Sequence, residues 1–307
     1  MGIQLVLVAS LFVAASNLCF RRGIDAGGTS KGFLMVQLFV IFLIAILLNP
    51  VRTGHYEWNS EMAAFGAMTG IVFAGMMVAL GKALESGPPG LTIAALNAST
   101  VMPMVVMSLL FGATFGFIYT IWHGVGSILV IAGLFWAGAQ TVRTGSKMRW
   151  ASFVIAMFCL HVLLLVLMQW RALFINFPGS TELFLSFDVS QAKNQWFMPM
   201  MFLSATVIQL MIYVSSMKRL PKKQELLYGL LGGISNGIGT YFLIKSTEVA
   251  TAFENAMIFP IFAVTIIVLC NGWGIFLYKE RVNWWATALC VAGIIVGTVD
   301  FQRLFGA

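Results

Sequence analysis

Glu61-Met-Ala-Ala-Phe-Gly66-Ala-Met-Thr-Gly70-Ile-Val-Phe-Ala-Gly-Met-Met-Val-Ala-Leu80-Gly-Lys82-Ala-Leu-Glu85 carries no charge between Glu61 and Lys82. As a helix, such a run rises about 30 Å, the thickness of a bilayer's hydrocarbon core. The rest of the chain is built the same way. Of its 307 residues, 60% are hydrophobic and only 9% charged, with a mean hydropathy of +0.92. A soluble domain carries about 25% charged residues, so this chain lacks the polar material to coat a water-exposed surface. Lipid is its expected solvent.

Similar runs are expected near 3–20, 32–51, 61–84, 90–112, 118–139, 150–170, 198–217, 225–247, 250–275 and 283–302. Glu85-Ser-Gly-Pro-Pro-Gly90 forces a tight turn between the third and fourth. Ser246-Thr-Glu-Val249 divides the eighth and ninth more weakly. The long connection is about 171–197, which includes Asn176-Phe-Pro-Gly-Ser180 and has room for a short surface helix. The fold class expected is all-α and integral to the membrane, with about ten transmembrane helices around a central cavity.

The net charge of +7 comes from basic residues in short clusters between apolar runs, as in loops beside an anionic membrane. No nucleic-acid recognition module is present. Arg21, Arg22, Lys31, Lys82, Arg143, Lys147, Arg149, Lys218, Arg219, Lys222, Lys223, Lys279 and Arg281 follow odd-numbered spans. Only Arg52, Arg171, Lys193, Lys245 and Arg303 lie elsewhere. The positive-inside rule then puts odd loops in the cytoplasm and both termini outside. The first segment has no positive n-region and is read as a retained span. Cys19, Cys159, Cys270 and Cys290 share no close spacing and read as buried hydrophobes.

The chain repeats. An offset of 163 residues carries Gly66-Ala-Met-Thr-Gly70-Ile71 onto Gly229-Leu-Leu-Gly-Gly233-Ile234, Lys82 onto Lys245 and Glu85 onto Glu248. An offset of 157 carries Asn97 onto Glu254 and Pro103 onto Pro260. The third span thus matches the eighth and the fourth the ninth. A five-span unit is duplicated, residues 1–142 and 143–307. Because five is odd, the second copy enters the membrane from the opposite side, an inverted repeat suited to alternating access. The Gly66/Gly70 and Gly229/Gly233 pairs are expected at helix contacts. Pro103 and Pro260 are expected to kink their spans beside a cavity or a neighbouring helix.

Ionisable and polar groups within spans need partners or roles. Lys82 with Glu85 and Lys245 with Glu248 are spaced for ion pairs on one helix face, and inversion would put one pair at each mouth of the cavity. Glu254 is expected about one turn into the ninth span, as a backbone ligand or a proton or cation site. His161, Gln209, Asn236 and Asn97 are the remaining candidates for substrate binding near the midplane, against interhelical hydrogen bonding. Trp122 with His123, Gln169-Trp170-Arg171, and Trp284 with Trp285 read as interface anchors. Gly233-Ile-Ser235-Asn-Gly237 matches the nucleophile-elbow pattern but lies in a helical run. No His-Glu-x-x-His is present, and no cofactor or metal is expected. An intramembrane enzyme and a channel or assembly subunit are the rival readings.

Leu277-Tyr-Lys-Glu280-Arg-Val282, followed by Trp285-Ala-Thr-Ala-Leu-Cys-Val-Ala-Gly293-Ile-Ile-Val-Gly297, resembles the closing signature of the drug/metabolite transporter superfamily, in its EamA-like ten-span branch. The first half departs from this, with Phe111-Gly-Ala113 and no glutamate where the second has Glu280. The resemblance implies secondary transport of a small molecule through a cavity lined by both halves, and termini in the cytoplasm, against the charge bias. Lysines, acids and aromatics in the spans favour a polar metabolite, amino-acid-like or nucleoside-bearing, over a drug. Expected partners are this substrate, a coupling proton or counter-substrate, and the lipid bilayer. A bacterial inner (plasma) membrane is the expected location.

Overall fold

The computed structural model describes residues 1–86, 89–112, 119–138, 147–176, 188–251, 254, 257–279 and 283–298. The helices are α1 (Gly2–Asp25), α2 (Ser30–Ile46), α3 (Ser60–Ser86), α4 (Pro89–Ala98), α5 (Met102–Phe111), α6 (Ile121–Gly138), α7 (Lys147–Asn176), α8 (Val189–Ala192), α9 (Phe197–Met217), α10 (Lys223–Val249), α11 (Ile258–Tyr278) and α12 (Trp284–Thr298). There is no strand among the described residues. Among the described residues, eight segments are long and apolar enough to cross a bilayer, and two shorter apolar helices, Ile121–Trp136 and Trp284–Gly297, accompany them. Leu109 and Phe276 are 82% and 84% exposed on the outside, where only lipid would solvate them. The chain is an all-α, multi-pass membrane protein.

Named contacts give the direction of each helix. Val36, Val40 and Ile44 sit on Gly229, Gly233 and Gly237, so α2 runs parallel to α10. Gly66 and Gly70 lie on Phe197 and Met201, so α3 runs parallel to α9. Gly23 lies against Tyr228 and Gly239 against Ala9, which makes α1 antiparallel to α10. Gly75 faces Leu160 and Phe65 meets Trp170, so α3 and α7 are antiparallel. Asn49, in the turn that ends α2, hydrogen-bonds Met198 at the start of α9. Consequently α3 and α10 run in opposite senses. The bundle has one end bearing Glu248 and another bearing Glu225.

The glycines bring these backbones together. Apolar association offers no drive between helices in lipid, so close approach and dispersion must supply it. A Cβ on Gly70 would lie 2.0 Å from the Met201 carbonyl oxygen, and one on Gly66 would lie 2.4 Å from that of Phe197. At α6 and α12, which run antiparallel, Gly126 meets Gly293 and Gly133 meets Ala286.

Two expected kinks are realised differently. In the fourth span, α4 ends and a 3-10 turn over Ser99–Val101 intervenes before α5. Pro103 is the second residue of α5, where the missing N–H costs nothing. The span is broken ahead of the proline, not bent at it. Pro260 is the third residue of α11 and so lies in a first turn, where no kink is required. Pro50, on which sequence reasoning was silent, sits in a π-helical turn, Leu47–Val51, that ends the second span. Proline clashes with the preceding turn, and widening it relieves that clash.

Other boundaries also move. The ninth helix begins at Ile258 and not at 250, and α7 runs six residues past the expected end of its span to Asn176. The short helix of the long connection is α8, four residues, with Asp188 and Gln191 forming a capping box. Residues 87–88 of the Gly-Pro-Pro-Gly turn, Ala113, residues 177–187 of the long connection, and Glu280 with Arg281 and Val282 lie outside the described residues.

Candidate functional site

Among the described residues, polar side chains meet at each end of the bundle and at the break in the fourth span. At the Glu248 end, α7 and α10 present Arg171, Lys245 and Glu248. Arg171 Nη1 donates to Glu248 Oε1 at 2.6 Å, and Lys245 Nζ to Glu248 Oε2 at 2.6 Å. The Arg171 and Glu248 side chains are 7% and 10% exposed, whereas Lys245 is a third exposed. The Arg171 guanidinium also covers the Phe197 ring at 4.7 Å, a cation–π contact strengthened by burial. A recess opens here, lined by this triad with Asn49, Gln195 and Tyr241 among others. Arg52 donates to the Tyr241 hydroxyl from the rim. Asn49 is turned inward by the π turn, its amide donating to the Ala45 carbonyl at 2.7 Å.

Lys82 and Glu85 have the same spacing and a different environment. Their pair spans 3.2 Å with side chains 41% and 58% exposed, an arrangement worth little in water. Because α3 and α10 run oppositely, the two pairs do lie at opposite ends of the bundle. Only one is enclosed.

At the break between α4 and α5, His161 of α7 approaches. Its Nδ1 lies 2.6 Å from Ser99 Oγ and 3.2 Å from the Leu96 carbonyl oxygen. The imidazole thus meets polar groups that an uninterrupted helix would have kept to itself. Replacing His161 with Phe should leave Ser99 and Leu96 without this partner. Because Ser99 Oγ still donates to the Leu96 carbonyl at 2.6 Å, a loss of about 0.5–1.5 kcal/mol is expected, read as a lower thermal midpoint in detergent, with His161→Asn recovering part of it.

At the Glu225 end, Glu225 is fully buried. It accepts from Arg219 Nη1 at 2.9 Å and Nη2 at 2.7 Å, from the Thr29 N–H and hydroxyl, and from the Lys222 N–H. This clamp ties the α1–α2 turn to the start of α10. Gly32 is required beside it, since a Cβ there would fall 2.3 Å from the Glu225 carboxyl carbon.

The remaining candidates do not converge. No hydrogen bond among the described residues joins His161, Gln209, Asn236, Asn97 or Glu254 to one another. The Asn97 amide donates to Ile93 in its own helix at 2.9 Å. Asn236 accepts from Thr240, also in its own helix, at 3.4 Å. Gln209 is buried in α9. Glu254 corrects an expectation: it precedes α11 and accepts from the Ile3 N–H at 3.4 Å and the Thr251 N–H at 2.9 Å. Burial works to raise its pKa, but these donors and the N-terminal ammonium outweigh it and hold the carboxyl below its usual range. Ser235 lies within α10, whose Gly233 and Gly237 press on α2, so it sits on no strand-to-helix elbow.

Arg171 and its neighbours correct another. Read as an interface anchor, Arg171 is 6% exposed and Gln169 2%, and Trp170 packs against Phe65, Phe111 and Phe174. Because α7 continues to Asn176, Arg171 lies inside the helix. The available signal was an arginine following nineteen uncharged residues, Ala151 to Trp170 apart from His161. Its partner, 77 residues away, left no mark in its own segment. Trp284 and Trp285 are 54% and 78% exposed, as anchors require.

No family model matches the chain, and no curated protein matches it. A solved structure described only as "Crystal structure of protein" is similar over 97% of this chain and 96% of its own, with a TM-score of 0.68 and 14% identity. At that identity the likeness concerns the fold.

Proposed function

We propose that the chain is a secondary transporter of the drug/metabolite type, EamA-like, in the bacterial plasma membrane, moving a small polar metabolite by alternating access. Ten crossings are counted in this reading, α4 with α5 making one and α6 and α12 one each. The observation that carries it is the pattern of helix pairs. Exchanging each span for the one five places on turns α3–α9 into α10–α2, α1–α10 into α7–α3, and α1–α11 into α7 with α4 and α5. It returns α2–α9 and α6–α12 to themselves. Every one of these pairs is in contact. Polar clamps follow the same exchange: Gln191 donates to Glu61 at the start of α3, as Thr29 does to Glu225 at the start of α10. An inverted pair of five-span units has this property, and such pairs suit a site exposed to one face at a time.

The antisymmetry has a direct check. With the native cysteines replaced, His55→Cys and Leu220→Cys should react with a membrane-impermeant maleimide from opposite sides. Both positions are exposed, and the test needs only that they react from opposite sides, whichever side is the cytoplasm. Labelling from the same side would remove the inversion and the mechanism with it.

Transport itself is tested by counterflow in proteoliposomes, using metabolites that raise the protein's thermal midpoint in a panel screen. A carrier takes up label faster when unlabelled substrate fills the far side. A pore is indifferent to that loading, and an enzyme alters the label chemically.

A further inference from the structure

The recess at the Glu248 end holds more positive charge than its carboxylate neutralises. Glu248 already spends one oxygen on Arg171 and the other on Lys245. Arg171 Nε is buried and has no hydrogen-bond partner. The Tyr241 hydroxyl accepts from Arg52 and retains its own proton to donate. The enclosed part of the recess is about the size of one water molecule, so an anion enters it by displacing the Glu248 carboxylate from the cations. Two cations against one acid, a buried guanidinium N–H without an acceptor and an available hydroxyl give this end more donors than acceptors.

We propose that this recess is an anion subsite, which takes a carboxylate or phosphate group between Arg171, Lys245 and Tyr241 in competition with Glu248. Under the transporter reading, on which this part rests, that group belongs to the substrate. An anion arriving here takes one or both cations from Glu248 and so loosens the α7–α10 contact that closes this end. Substrate binding and opening then share one set of charges. The bound group presents to Arg171 the planar or tetrahedral oxygen pattern that guanidinium forks recognise.

The test is binding, independent of transport. Full-length protein in a neutral detergent is titrated with inorganic phosphate and with succinate against chloride at matched ionic strength, following the thermal midpoint. Both anions should raise the midpoint of the unmodified protein. Glu248→Gln removes the competitor and should tighten phosphate binding about tenfold, the size of one charge-assisted hydrogen bond. The double variant Arg171→Gln/Glu248→Gln, which has no unpaired guanidinium to destabilise it, should not respond. Absence of any anion effect, or an equal effect in the double variant, overturns the proposal. Reconstitution in phosphatidylcholine with and without phosphatidylglycerol separates the sources. Loss of the soluble-anion response only when phosphatidylglycerol is present assigns the subsite to a lipid headgroup, and its persistence assigns it to a solute. Anion binding without counterflow would sink the transporter reading alone, and counterflow without anion binding would sink the subsite alone.

Discussion

Gly70→Val is expected to separate α3 from α9 and to leave little folded protein. A Cβ at this position falls 2.0 Å from the Met201 carbonyl oxygen and 2.1 Å from Ser204 Oγ. The first neighbour is helix backbone, so no rotamer change relieves the clash and the helices must part. Ser204 would also lose its reach to the Ala67 carbonyl, now 3.0 Å away. Overpacking a core costs about 1–3 kcal/mol where side chains can yield, and a backbone clash belongs at or beyond the top of that range. Gly233→Val should act similarly, since its Cβ would lie 2.6 Å from Val40 and 2.9 Å from the Gln37 carbonyl oxygen. Gly81→Ala and Gly272→Ala are the controls: nothing lies within 4 Å of either added methyl, and helix propensity favours alanine by about 1 kcal/mol. Size-exclusion yield and thermal midpoint in detergent report all four. A well-folded Gly70→Val would mean that α3 and α9 do not pack as described.

Glu248→Gln is the second large effect. It leaves Arg171 and Lys245 side by side without their shared carboxylate. Removing one partner from a buried ion pair costs about 3–5 kcal/mol, because the remaining charge stays desolvated. Arg171→Gln should cost less, since Lys245 still neutralises Glu248. The double variant should regain much of the loss, because replacing both partners by uncharged groups of similar shape is often close to neutral. Lys82→Gln breaks a pair of identical spacing and should stay within about 1 kcal/mol. Chemical unfolding in detergent gives the four stabilities, and hydrogen exchange over 244–249 should rise in Glu248→Gln. Equal costs for Lys82→Gln and Glu248→Gln would contradict the enclosed placement of the Glu248 triad.

These two pairs also mark where sequence reading reached its limit. Lysine and glutamate three residues apart on a helix face announce a contact, and both contacts form. Their spacing says nothing about what approaches from outside the helix. Arg171 reaches one pair from α7, and among the described residues no comparable arginine meets the other. For the same reason the two prolines, matched by a constant offset, diverge: Pro103 follows a break that His161 supports, while Pro260 merely begins a helix.

Lipid as solvent, the helix as the secondary structure of the spans, and the places where helices must touch closely were all decided by local composition. Apolar run length, charge content and glycine spacing act within one segment, and a bilayer leaves a lone backbone no alternative to the helix. Which helix lies against which, and therefore which charge is buried and which remains wet, needed the tertiary structure. Burial of Glu248 depends on a cation from a distant segment, and neither segment alone carries the desolvation that makes their meeting matter.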